Sequence, residues 1–158
     1  MKKIIALILA LTMALSFAAC SSSNNSGDAK GDSMTLTEIM ETITDGLELP
    51  ATENIPLTEE NFEFYTFISP VEGAEGLATE PMMSSIAHSV VLIRLPDNAD
   101  AQSVADSISA NADPRKWICV EAEKTVVSVH GNTILLVMSS EDNATHIADS
   151  FDALFAAE

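Results

Sequence analysis

The last part of the chain carries the pattern that most restricts its fold. Two strand-like runs, 125–129 and 133–138, flank His130-Gly131-Asn132, and Gly-Asn between such runs is a hairpin turn signal. An amphipathic helix follows, because apolar residues recur at helical spacing. They are Ala144, Ile147, Ala148, Phe151, Leu154 and Phe155. A hairpin and a helix that each have an apolar face to bury predict a sheet with helices packed on it.

Earlier segments fit the same architecture. Thr35-Leu36-Thr37-Glu38 has the residues of a capping box, and the amphipathic helix that it begins is predicted to end at Gly46. Within the strand-like segment 85–95, residues 90–93 are apolar on both faces, which is typical of a central strand. Asp100 is a candidate cap for a helix that Asp113-Pro114 ends. We predict an α+β domain with a small antiparallel sheet of about four strands, in the order α-β-β-α-β-β-α.

Four segments give weaker signals. Residues 50–56 lie between two prolines and are predicted to be a connector. The aromatic cluster at 62–68 fits either a short strand or a turn that places rings in the core. The acidic, glycine-containing segment 71–81 is predicted to be an exposed loop, and an extended stretch is predicted to begin at 117–120.

The N-terminal segment predicts where the protein is located. Lys2 and Lys3 precede an apolar to weakly polar run, 4–19, which is too short to span a bilayer comfortably and suits a secretory signal core. Phe17-Ala18-Ala19-Cys20 resembles a bacterial lipobox, in which the cysteine is acylated. We therefore predict a lipoprotein signal peptide at 1–19, a lipidated Cys20 that begins a flexible Ser/Asn/Gly tether at 20–33, and a single domain at 34–158. An ordinary signal peptide is the alternative.

The charge of the chain excludes some partners. Asp and Glu number 24 against 7 Lys and Arg, for a net charge of −17. Nucleic-acid binding and a polybasic membrane contact both need clustered cations, so neither is expected. The acidic excess is most simply a solvated surface, although a surface of this charge also suits loosely held divalent cations or a basic ligand.

The pattern resembles the small lipoproteins of Gram-positive gut bacteria catalogued as domain of unknown function 4358. The resemblance covers the lipobox and tether, the first amphipathic helix, and the segments 80–94, 112–117 and 126–137. It implies a lipid anchor at the extracytoplasmic side of the cell membrane and the α+β fold. It implies no activity, because none of these segments is a catalytic signature.

Residues with reactive side chains do not form a recognisable catalytic motif. His88, His130 and His146 match no metal-ligand spacing. His88 could approach His130 if their strands pair, but a hydrogen-bonded core histidine is the simpler interpretation. Ser84 or Ser85 with His88 lacks a nucleophile elbow and an orienting acid. We predict no catalytic residue, no metal ligand and no cofactor.

Three neighbouring residues are the candidate interaction site. Arg115 and Lys116 form a basic pair that is either a solvated turn or a contact for an acidic partner, and Trp117 is either a core ring or an interaction anchor.

Cys119 lies among apolar residues and is predicted to be buried. Met82-Met83 fits core filling or an adaptable recognition surface.

These observations favour a non-catalytic binding or interaction module, anchored to the membrane through lipid on Cys20, with an envelope protein or a basic ligand as its partner. An accessory subunit of a transport or sensory system is the alternative, and an envelope hydrolase is a weaker one.

Overall fold

The computed structural model describes residues 29–49, 51–83 and 85–156. These ranges contain a 3₁₀ helix at Lys30–Ser33, one five-stranded antiparallel sheet and four α-helices, so the α+β class is confirmed. The elements in chain order are α1 (Leu36–Ile43), β1 (Thr52–Pro56), α2 (Phe62–Thr66), β2 (Glu75–Pro81), β3 (Ser89–Arg94), α3 (Ala101–Asn111), β4 (Lys124–His130), β5 (Thr133–Ser139) and α4 (Glu141–Phe155). The predicted signal peptide, Cys20, the first part of the tether and Ser84 lie outside the described residues.

The sheet order is β1-β2-β3-β5-β4, with every neighbouring pair antiparallel. The central strand β3 pairs with β2 on one side and β5 on the other, so 90–93 does form a central strand with both faces buried. Val90 and Leu92 pack with α1 and α4 on one face, and Val91 and Ile93 pack with α3 on the other. Helices therefore cover both faces of the sheet.

The predicted caps and the hairpin turn are present. Thr35 Oγ1 accepts a hydrogen bond from the Glu38 N–H at 3.2 Å, and the Glu38 carboxylate accepts one from the Thr35 N–H at 2.8 Å. Asp100 accepts from the Ser103 N–H at 3.0 Å and begins α3. Gly131 has φ +54° in the turn between β4 and β5, a conformation that glycine adopts without strain.

Several expectations for the domain were wrong. The sheet has five strands rather than four, because 50–56 contains β1 and the predicted loop 71–81 contains β2. The cluster 62–68 forms α2 rather than a strand or turn, and 117–120 is a turn rather than the start of a strand. β2 has a weak strand composition, and its conformation follows from pairing with β1 and β3, which sequence periodicity does not reveal.

The 3₁₀ helix at Lys30–Ser33 falls within the segment predicted to be tether, and it packs on α4. A Cβ atom added to the buried Gly31 would lie 2.5 Å from the nearest ring carbon of Phe155, so only glycine allows this close approach. The Phe155 ring in turn stacks on His130, with 5.2 Å between ring centroids. The described chain thus begins against the hairpin end of the sheet. No helix within the described ranges has the length and apolarity needed to cross a bilayer.

Candidate functional site

A buried ion pair lies near the end of the sheet where β2 finishes and β3 starts. Lys116 Nζ donates to Glu80 Oε1, and only 6% of the lysine side chain and 16% of the glutamate side chain are exposed. Ser89 Oγ, at the start of β3, lies 3.4 Å from the same nitrogen. The pair links the segment after α3 to the C-terminal end of β2. These two segments are distant in the sequence.

Aromatic rings surround the lysine nitrogen. The distances from Lys116 Nζ to the ring centroids are 5.0 Å for Phe64, 5.0 Å for Tyr65, 5.3 Å for Trp117 and 5.9 Å for Phe67. A cation within about 6 Å of a ring face is attracted by the ring quadrupole. We call these four rings together with Lys116, Glu80 and Ser89 the Lys116 cage.

Local structure on both sides positions the cage. α2 presents Phe64 and Tyr65, whose rings meet edge to face at 4.9 Å. Phe67 ends α2 with φ +63°, a left-handed conformation that is uncommon for an aromatic residue. On the other side, the Lys116 N–H donates to the Asp113 carbonyl at 3.1 Å, which closes the turn that carries the lysine.

Burial changes the acid–base behaviour of the cage. Burial lowers the pKa of Lys116, and the hydrogen bond and charge of Glu80 partly offset this effect by favouring the charged ammonium. The pKa of Tyr65 is raised, first by burial and then by the charges of Glu80 and Glu53. The lysine is thus already satisfied by groups of its own chain, so the cage is a structural element and not an open cation site.

A histidine and a serine are buried next to this region. His88 Nδ1 lies 2.8 Å from Ser139 Oγ, and these residues are 1% and 2% exposed. His88 Nε2 is buried without a hydrogen-bond partner among the described residues. Burial lowers the pKa of His88, and the charge of Glu80 acts in the opposite direction. A substrate cannot reach this pair in the described conformation, and no carboxylate orients the imidazole.

The lowered pKa of His88 predicts a pH dependence of stability. The unfolded chain binds a proton near pH 6.5 and the folded chain does not, so the free energy of unfolding should fall as the pH drops below this value. We expect the stability advantage of the wild type over His88→Gln to shrink between about pH 7.5 and about pH 5.5 in urea titrations. The matched control is His146→Gln, at an exposed position on α4. An advantage that does not change with pH would contradict the prediction.

Large apolar side chains are exposed around the cage. Of the described residues, four combine a large apolar side chain with high exposure: Phe64 at 61%, Met82 at 73%, Met83 at 59% and Ile118 at 101%. Phe64 contacts Lys116, the methionines follow Glu80 by two and three positions, and Ile118 follows Lys116 by two. We call these four residues the apolar rim. Exposed apolar side chains that share one region of a surface commonly mark an interaction site.

The candidate interaction residues have different environments. Arg115 is exposed, with Nε 4.0 Å from Asp113, so it fits the predicted solvated turn. Lys116 does not, because its side chain is buried in the cage. Trp117 is 8% exposed and belongs to the core. Lys116 and Trp117 are therefore buried, and the exposed side chains of the candidate site belong to neighbouring residues.

Other parts of the surface were predicted less well. Cys119 was predicted to be buried but is exposed, in the turn at 117–120. Core filling by Met82 and Met83 is likewise wrong. Sequence reasoning missed Phe64 and Glu80, whose roles depend on pairing β2 with β3 and on placing α2 beside Lys116.

His88 and His130 are not brought together, and His88 lies just before β3 rather than in a strand. His88 lies beside Ser139 at the far end of β5, whereas His130 pairs with Thr133 at its start. His130 Nε2 lies 2.9 Å from the Asp152 carboxylate on α4. Across the described parts of the chain, no three His, Cys, Asp or Glu side chains are grouped so that they could hold a metal ion.

The described residues line surface cavities away from the buried pair, and the walls of four of these cavities do not include His88, Ser139 or Lys116. One, of about 420 Å³, lies between the start of α2 and the segment 70–74. Another, of about 340 Å³, lies at the hairpin end beside Arg94, Asp97 and Asn132. Neither cavity brings a nucleophile and a base together.

Comparisons with protein-family models, with curated proteins and with solved structures find no match for this chain.

Proposed function

We propose that this chain is a lipid-anchored, non-catalytic binding module on the extracytoplasmic side of a cell membrane, and that it binds an envelope partner at the apolar rim. The observation that carries the proposal is that the exposed large apolar side chains among the described residues belong to the Lys116 cage or lie within three chain positions of its residues. Burying these exposed apolar side chains against a partner would contribute favourably to association. An accessory subunit of a transport or sensory complex would use such a surface in the same way.

The environment of the buried histidine supports a non-catalytic role. His88 and Ser139 are each at most 2% exposed, and the neighbouring carboxylate, Glu80, is engaged by Lys116. A general base must reach the proton that it removes. The proposal of a hydrolase therefore has less support than that of a binding module.

Lipidation at Cys20 is the part of the proposal that rests on the N-terminal sequence. We expect labelled palmitate to enter the wild-type protein expressed in a bacterial host and to be absent from Cys20→Ala. Cys119→Ala is the matched control, because its exposed thiol lies outside the lipobox. Equal labelling of wild type and Cys20→Ala would remove the anchor from the proposal.

Site-specific photocrosslinking tests the binding surface. A photoreactive amino acid in place of Ile118 should give a discrete crosslinked product on intact cells, whereas the same group in place of the exposed Ala110 on α3 should not. Adding Met82→Ser and Met83→Ser to the Ile118 probe should suppress the product if the rim acts as one surface. Equal crosslinking at Ile118 and Ala110 would contradict the proposal.

A further inference from the structure

We propose that the partner at the apolar rim is a cationic polypeptide segment with large apolar side chains, which approaches from the side of the domain opposite the tether. This inference rests on the binding role proposed above and adds the chemistry of the partner.

The rim and the beginning of the described chain lie at opposite ends of the sheet. β5 runs from Thr133, which pairs with His130 and Arg94, to Ser139, which lies beside His88. A strand of this length spans about 20 Å. The 3₁₀ helix at Lys30–Ser33 packs at the His130 end, whereas the Lys116 cage is built on Ser89 at the other end.

This arrangement disfavours a lipid surface as the occupant of the rim. A tether that joins Cys20 to residue 29 would attach the membrane to the hairpin end of the domain. The rim then lies at the end of the sheet away from the point of attachment. Basic protein segments are attracted to anionic lipids, but a chain with a net charge of −17 does not gain this attraction.

The charged groups beside the rim are mainly acidic. Glu53 is exposed and opposite Glu80 in the β1–β2 register, Glu63 is exposed next to Phe64, and Glu121 is exposed shortly after Ile118. Arg115 is the exposed base in this region, and it lies beside Asp113. Glu80 already neutralises Lys116. A partner with positive charge therefore gains electrostatic attraction, whereas a second copy of this acidic chain would be repelled.

The apolar rim adds a selectivity that charge alone would not give. An acidic surface attracts any basic peptide weakly, but the side chains of Met82, Met83 and Ile118 favour a segment that also buries apolar groups against them. Unbranched methionine side chains adapt to different apolar shapes. The recognised segment should thus combine lysine or arginine with leucine-like residues.

An immobilised peptide array tests this partner chemistry. The mature full-length protein, kept in a nonionic detergent micelle, is applied to synthetic peptides in four sets: cationic with leucine, cationic with serine, acidic with leucine, and neutral with leucine. Protein-free micelles give the blank. We expect binding to the first set, at least about tenfold above the other three, and weakening from about 50 mM to about 300 mM salt.

Matched variants test whether the peptides bind at the apolar rim. Met83→Ser combined with Ile118→Ser should reduce binding to the cationic leucine peptides about tenfold, whereas Ala110→Ser combined with Ala153→Ser, at exposed helix positions, should not. Circular dichroism melting of each variant shows that it is folded.

Each other outcome overturns the inference. Equal binding to cationic serine peptides means that only charge is recognised, and preference for acidic or neutral peptides means that the partner chemistry is wrong. Concentration-dependent dimers in sedimentation that are lost in the rim variant point to a second copy as the occupant. No binding to the array together with rim-dependent crosslinking on cells would reject the cationic partner and leave the proposed binding role intact.

Discussion

Lys116→Met is expected to lower the free energy of unfolding by about 3 kcal/mol, because it leaves the Glu80 carboxylate largely buried without its partner. The methionine side chain fills a similar volume among the rings, so loss of packing should contribute little. Urea denaturation at neutral pH measures the change. The four aromatic rings would also lose the cation that they surround.

The double variant Lys116→Met, Glu80→Leu separates these causes. Replacing both partners of a buried ion pair by apolar residues is often neutral, so the double variant should recover most of the stability that Lys116→Met loses. The interaction energy from the double-mutant cycle should be large and favourable. A single variant as stable as the wild type would show that Glu80 does not depend on Lys116.

Phe151→Ala is expected to cost about 3–5 kcal/mol, because the ring is completely buried between α4 and the sheet. The ring also contacts its aromatic neighbours, with centroid distances of 5.0 Å to Phe155 and 5.5 Å to His130. Removing it leaves a cavity at the junction of α4, β4 and the 3₁₀ helix. Thermal and urea unfolding measure the loss.

Phe64→Ala is the matched control for this prediction. The Phe64 ring is 61% exposed, so its removal should cost at most about 1 kcal/mol, mainly through the lost contact with Lys116. Equal losses for the two variants would mean that α4 does not dock as described.

Local signals predicted the helix caps, the hairpin and the last helix well, and the first two strands poorly. The capping residues of α1 and α3, the Gly131 turn and the apolar stripe of α4 each act within a few residues, so the sequence displays them directly. β1 and β2 lack such signals. Their strand conformation depends on hydrogen bonds to strands elsewhere in the chain, which no local pattern reveals.

The Lys116 cage involves residues that the sequence did not connect. Lys116 and Trp117 belong to it, but the ion pair joins positions 80 and 116, and the other rings come from α2 and its C-terminal end. A lysine beside an arginine in an acidic chain gives no hint that it will be buried. Ile118 and Cys119 are exposed in the turn at 117–120, which the apolar sequence of this segment does not indicate.

The outer strand β1 has a consequence for how closely copies of this protein can be crowded. It has five residues, of which all but Ile55 are exposed, and it includes Glu53 and ends at Pro56. Short length, a carboxylate and a proline are features by which natural sheets discourage edge-to-edge pairing. Strand addition between neighbouring copies is therefore unfavourable at this edge, which would protect the protein from aggregation where its copies are concentrated.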